Sequence, residues 1–132
     1  MAARLNPYIS FDNTAREALT FYADVFGGTP EVTAFSELGG EGDGVMHGIL
    51  ETDSGFTIMA ADTPEGYATP QGISISLSGE NATADELRGY WEKLSADGTV
   101  TVPLDKQMWG DEFGMCVDRF GIPWMVNIAG AR

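Results

Sequence analysis

Near the start of the chain apolar Leu5, Pro7, Ile9 and Phe11 alternate with polar Asn6, Tyr8 and Ser10, and this period of two predicts a half-buried strand. The period then changes. Ala15, Ala18, Leu19, Tyr22 and Phe26 recur at steps of three and four, the spacing of one helix face, and Gly27-Gly28 ends that helix with a residue able to adopt positive φ. Thr14 and Glu17 form a T-x-x-E capping box at its start, in which the Thr oxygen would take an orphan helix N–H and the Glu would reach back. Three strand-like runs follow, at about 29 to 37, 45 to 52 and 56 to 61.

The same succession then returns. Ile73, Ile75 and Leu77 alternate with Ser74, Ser76 and Ser78, and a second T-x-x-E box stands at Thr83 and Glu86. Leu87, Tyr90, Trp91 and Leu94 mark a helix ending near Asp97-Gly98, followed by runs at about 98 to 104, 113 to 118 and 122 to 128. The order is βαβββ, twice. At an offset of 66, Gly55-Phe56-Thr57-Ile58-Met59 falls on Gly121-Ile122-Pro123-Trp124-Met125, His47-Gly48 on Phe113-Gly114, and Ile9-Ser10-Phe11 on Ile75-Ser76-Leu77. Leu19, Tyr22 and Phe26 fall on Leu87, Tyr90 and Leu94 at 68, which predicts a slightly longer connection before the second helix. The expectation is an α+β chain in which residues 1–132 form one domain of two tandem modules, about 4–62 and 70–129.

Helices on one face of each sheet leave the other faces free to curve around a cup-shaped cavity, the expected place for a ligand. The polar sides of the first strands would bring Asn6, Tyr8, Ser10, Ser74 and Ser76 there. Solvated strand faces, or pairs across a dimer interface, are the competing reading of the same alternation.

Composition narrows the partners. Seven Lys and Arg against twenty Asp and Glu give a net charge of −13, which repels phosphate backbones and anionic headgroups, so neither nucleic acid nor membrane is expected as a partner. With 43% hydrophobic residues and 20% charged, the chain has globular rather than disordered character. One cysteine, Cys116, excludes an intrachain disulfide and a Cys-based zinc cluster, and one histidine, His47, excludes two-His metal motifs within a chain. The first residues lack the apolar run of a secretory signal and no segment approaches about 18 uninterrupted apolar residues, so the expected location is cytoplasmic.

His47 is the sole imidazole, and imidazole is the side chain suited to acid–base work near neutral pH. It shares a strand run with Val45, Ile49 and Glu51, with Glu51 reachable only through long side chains. A half-buried strand histidine bonded to a neighbouring element competes with the catalytic reading. Met59 and Met125, equivalent in the repeat, suit either an adaptable pocket lining or core packing. Trp109, with Phe113 after it, is placed to close over a ligand from a loop, or to anchor that loop or an interface. Trp124 is expected in the core, opposite Met125, and Cys116 as an inert core residue. Gly39-Gly40-Glu41-Gly42-Asp43-Gly44 lacks the following helix of a phosphate cradle and reads as a loop, while Asp62 to Pro70 reads as a linker. No G-x-S-x-G elbow and no glycine-rich nucleotide turn is present.

Tyr8-Ile9-Ser10-Phe11, Ala18-Leu19-Thr20-Phe21-Tyr22, Val25-Phe26-Gly27-Gly28, Val45-Met46-His47, Ile58-Met59-Ala60-Ala61-Asp62, Ile73-Ser74-Ile75-Ser76-Leu77 and Asp118-Arg119-Phe120-Gly121-Ile122-Pro123-Trp124-Met125-Val126-Asn127 together resemble the vicinal oxygen chelate (glyoxalase and bleomycin-resistance) superfamily. Within it they resemble the group named after the phosphonate-operon protein PhnB and labelled 3-demethylubiquinone-9 3-methyltransferase-like. The resemblance implies paired βαβββ modules, a cupped cavity and a homodimer. It also implies that metal-dependent members place His and Glu ligands on the first and last strands of each module. Those positions fall here on Asn6 or Tyr8, on Met59, on Gly72 or Ser74, and on Met125, none of them His or carboxylate.

The resulting expectation is a small-molecule-binding protein with no cofactor and no catalytic metal, its ligand touching Asn6, Tyr8, Ser10, Glu51, Met59, Ser74, Ser76, Trp109, Phe113 and Met125. The alternative is a divergent enzyme of the superfamily, of lyase, isomerase or dioxygenase type, metal-dependent or using His47 as acid or base. A bare interaction module is the third possibility.

Overall fold

A computed structural model describes residues 6–38, 42, 44–63 and 73–130. Leu5, most of the Gly39–Gly44 loop, Gly72 and the linker from 64 to 70 lie outside the described residues. Two compact units are present, Met1–Gln71 and Gly72–Arg132.

The first unit runs β1 (Tyr8–Phe11), α1 (Ala15–Phe26), β2 (Thr29–Ala34), β3 (Val45–Glu51) and β4 (Thr57–Asp62), with a 3-10 turn at Phe35–Leu38. The second runs β5 (Ile75–Gly79), a 3-10 turn at Asn81–Thr83, α2 (Ala84–Ser95), β6 (Thr99–Lys106), β7 (Glu112–Val117) and β8 (Pro123–Ile128). Each forms a four-stranded sheet, β1-β4-β3-β2 and β5-β8-β7-β6, with the first and last strands parallel and the others antiparallel. This is the βαβββ order read from the sequence. The turns joining the last two strands repeat in detail: Thr52 N–H bonds to Phe56 O and Gly55 N–H to Thr52 O, as Asp118 N–H bonds to Ile122 O and Gly121 N–H to Asp118 O.

The register moves the point at which the halves slip. Met59 and Met125 are 66 residues apart, yet their partners on the first strands, Tyr8 and Ser76, are 68 apart. Ile9 therefore corresponds to Leu77, not Ile75, and the two extra residues precede β5 rather than α2.

One face of each sheet is closed by its helix. In the first unit Ala18, Leu19 and Tyr22 of α1 are fully buried, with Leu50, Ile58 and Ala60 of the sheet. In the second, Leu87 and Leu94 of α2 lie buried with Trp124, Val126 and Ile128. The leucine, isoleucine and valine side chains among them contribute about 1.5–3 kcal/mol each when fully buried. Gly48 and Gly114, 66 apart, occupy the same place on the third strand, where a Cβ would collide with Leu19 in one module and come within 2.9 Å of Trp91 in the other. Arg88 ties α2 to β7 through two hydrogen bonds to one Glu112 oxygen, at 2.7 and 3.1 Å.

The helices begin where the T-x-x-E boxes place them, but neither Thr makes a side-chain cap. At α1 a stronger acceptor arrives from 47 residues away: Asp62, 4% exposed, takes the Ala15 N–H on Oδ1 at 2.9 Å and the Val45 N–H on Oδ2 at 2.8 Å. A carboxylate at a helix N-terminus satisfies an orphan donor and meets the positive end of the dipole. At α2 the 3-10 turn redirects the Thr83 hydroxyl to Glu80 O at 2.8 Å. Gly27 and Gly28 end α1 at φ +83 and +96, as their sequence predicts.

Asp62 also bears on β3. The pairing steps from Thr33↔His47 to Ala34↔Val45, so Met46 is the extra residue of a β-bulge. Val45 is thereby turned into the core while His47 is not, and the expected shared face of Val45 with His47, Ile49 and Glu51 holds only for the last three.

Trp124 is 1% exposed and donates its indole N–H to Asp118 Oδ2 at 2.9 Å, in the core and opposite Met125. Cys116, buried beside it, is the expected core thiol: burial first, and the Asp118 charge second, push it up from 9.0 to about 11.

Asp62→Ala should cost about 2–4 kcal/mol in urea unfolding because two backbone donors lose a charged acceptor. Thr14→Ala should cost less than about 0.5 kcal/mol, against about 1 for a working cap. Equal losses from the two substitutions would contradict this account of the helix start. Between pH 9 and about 11 the unfolded Cys116 thiol loses its proton while the folded one keeps it. The unfolded state then binds fewer protons, so stability falls as pH rises through that window. Chemical denaturation at stepped pH should show this fall flattened in Cys116→Ala.

Candidate functional site: the helix-free sheet faces

The surface opposite each helix is where the two modules differ from ordinary core. In the first, cross-strand pairing sets Tyr8, Met59, Ile49 and Glu31 side by side across β1, β4, β3 and β2. One step along, Ser10 pairs with Ala61 and Thr33 with His47. Tyr8 is 53% exposed, and its ring lies 6.0 Å from the His47 ring at a tilt of 35°. Alternation beyond the bulge keeps His47, Ile49 and Glu51 together on this side, because Glu51 pairs with Thr57 two residues before Met59. Five residues singled out from the sequence, Tyr8, Ser10, His47, Glu51 and Met59, thus share one face. They do not form one cluster, since four residues of strand separate His47 from Glu51 by about 13 Å.

In the second module Ser76, Met125, Met115 and Val102 form the corresponding row, and Ser78, Asn127, Phe113 and Asp105 the next. Ser76, Phe113 and Met125 therefore lie on the helix-free face. Asn127 is held at its Nδ2 by Asp111 Oδ2 at 3.3 Å. Met59 and Met125 stand opposite the buried helix sides of their strands and are half-buried, so neither is a core residue of its module.

The remaining candidates sit at margins. Asn6 precedes β1 and Ser74 precedes β5, the latter exposed. Trp109 lies in the β6–β7 turn, 61% exposed beside Met108 at 98%, in a loop closed by Gln107 N–H to Asp111 O at 2.7 Å. Cys116 faces the helix and takes no part in this surface.

Sequence reasoning passed over Thr33, Ile49 and Ala61 in the first module and Met115 and Asn127 in the second. Ile49, between His47 and Glu51 in the alternation, was within reach of that signal. Thr33 and Met115 required the strand pairing. Among the described residues no three His, Cys, Asp or Glu side chains converge as a metal-holding group.

Comparison with known proteins places this architecture. Protein PA1353 from Pseudomonas aeruginosa is 33% identical, with a TM-score of 0.85 over 98% of this chain and 100% of that one. A PhnB protein from Bacillus cereus, 23% identical, shares the fold at a TM-score of 0.75 over 96% and 100% of the two chains. Protein YjdN from Escherichia coli (strain K12) is 22% identical over 140 residues, covering 94% of each chain. The family model of glyoxalase, bleomycin resistance protein and dioxygenase matches residues 4–126, and with two βαβββ modules in tandem the chain belongs to the glyoxalase/bleomycin resistance protein/dioxygenase superfamily.

Proposed function

We propose that this chain is a PhnB-like member of the superfamily that binds a modest-sized small molecule on its helix-free sheet faces, as a cytoplasmic homodimer and without a catalytic metal. The observation that carries the reading is the pair of cross-strand couples Tyr8–Met59 and Ser76–Met125. They stand on the first and last strands, where metal-dependent members are expected to hold their ion. A phenol beside a thioether in one module, and a hydroxyl beside a thioether in the other, are poor donors for Zn, Ni, Mn or Fe(II), which favour imidazole and carboxylate. On each face these residues suit a ligand with apolar bulk: the thioether adapts to its shape, and orienting hydrogen bonds come from Tyr8 and Ser10 in the first module and from Ser76 in the second. No helix among the described residues is long and apolar enough to cross a membrane.

A second reading has its own support. The Tyr8 and His47 rings are neighbours on that face, and such a pair is equipped to move a proton in a metal-free acid–base reaction.

Native mass spectrometry of protein purified without chelator tests the first reading directly. A dimer of the 14.1 kDa chain free of stoichiometric transition metal is expected. About one tightly held metal ion per chain would overturn the metal-free assignment, and a monomer would overturn the dimer. For any small molecule retained through purification, His47→Ala should weaken binding about three- to tenfold with the thermal midpoint unchanged. Unaltered binding would remove His47 from the site.

A further inference from the structure

The faces have a charge pattern that the net charge alone does not dictate. Five of the seven cations fall among the described residues, and none occupies a register position on a helix-free face. Arg16 is on α1, Arg88 and Lys93 are on α2, and Arg119 lies in the β7–β8 turn against Asp97 at 3.4 Å. Lys106 pairs with Glu112, which shares its side of the sheet with buried Ile128. Arg4 and Arg132 lie outside the described residues.

Carboxylates do occur there. Glu31 ends the row that begins at Tyr8, Glu51 lies diagonally from it on β3, and Asp105 ends the row through Phe113. Read across the first sheet, the row is an exposed aromatic ring, a thioether, an aliphatic side chain and a carboxylate. Three inter-strand steps make it about 14 Å long. Its ends differ in kind, so a ligand lying along it has one orientation. An apolar or aromatic body covers Tyr8, Met59 and Ile49, and a positive group reaches Glu31.

Resting on the binding reading above, we infer that the first module's face selects a small molecule carrying a protonated amine on an apolar or aromatic body and discriminates against anions. A carboxylate or phosphonate ligand lying along the row would meet Glu31 at its end, and no described cation holds a register position on this face. An amine gains from the Glu31 carboxylate once its apolar body lies over Tyr8, Met59 and Ile49.

Three probes with one ring system and different charge test this: tryptamine, tryptophol and indole-3-propionate, titrated into the full chain at low salt and followed by NMR shift changes. Tryptamine is expected to bind about tenfold more tightly than indole-3-propionate, with tryptophol between, and the ratio should shrink as salt shortens the screening length. Because the chain is acidic everywhere, the local origin is tested by two substitutions of equal charge change. Glu31→Gln should collapse the preference, and Glu17→Gln on α1 should leave it. Indole-3-propionate binding as tightly as tryptamine, or a preference that Glu31→Gln does not reduce, overturns the inference while leaving a binding face in place. Failure of all three to bind overturns the binding reading itself.

Discussion

The parallel pairing of the first and last strands is the constraint on which each module depends. Two parallel neighbours cannot be joined by a tight turn, so the chain must cross over, and the helix after the first strand lies on one side of the sheet. That crossover buries Leu19 and Tyr22 in one module and Leu87 and Leu94 in the other, and leaves the opposite side without a helix. It also fixes which side chains stand shoulder to shoulder. Once Tyr8 is level with Met59, the rows through Ile49 and Glu31 follow from the antiparallel ladders alone.

The modules meet this constraint by different polar devices. In the first, Asp62 at the end of β4 gathers the start of α1 and the start of β3 onto one carboxylate. The residue 66 later is Ile128, 1% exposed, so the second module closes the same place with apolar burial. Its buried carboxylate sits in the turn instead, where Asp118 accepts from Phe120 N, Ile122 N and Trp124 Nε1. At the equivalent place in the first module Thr52 Oγ1 accepts the corresponding bond from Phe56 N at 2.9 Å. Each buried acid has several donors, the condition under which burying a charge is tolerated. The consequence for the surface is unequal: only in the first module does the polar clasp adjoin the bulge from which His47 emerges.

Much of this was legible in the sequence because alternation reports faces directly. The changes of period located both helices, and the repeat located all eight strands to within a few residues. Register was not legible, since alternation is unchanged by a two-residue slip; Ser10 aligns with Ser76 by chemistry, but the ladder sets it level with Ser78. Bulges defeat alternation outright, and so Val45 was grouped with His47. The T-x-x-E boxes marked the right positions for the wrong reason at α1, because a local motif cannot show that a carboxylate 47 residues distant will take the donor. The methionines were ambiguous on chemistry alone, equally at home in a core or on a ligand face, and only the side of the strand decided between them.

That decision bears on how a face of this kind can recognise anything. An ion chelating two vicinal oxygens supplies strong, directional binding from a small contact, so a metal-dependent site can be selective for an oxygen pair and indifferent to the rest of the molecule. On the metal-free reading proposed for this chain, Tyr8 and Met59 in one module and Ser76 and Met125 in the other coordinate nothing, and that source is removed. Each neutral hydrogen bond that remains contributes only about 0.5–1.5 kcal/mol net. Apolar area must then carry more of the affinity, at about 25 cal/mol for each Å² removed from water. Thioethers, Ile49 and an exposed aromatic ring are the residue types that provide such area without demanding one shape. On that proposed reading recognition moves from the ligand's oxygens to its body, and charge at the margin of the row, rather than coordination at its centre, becomes the means of choosing among bodies of similar size.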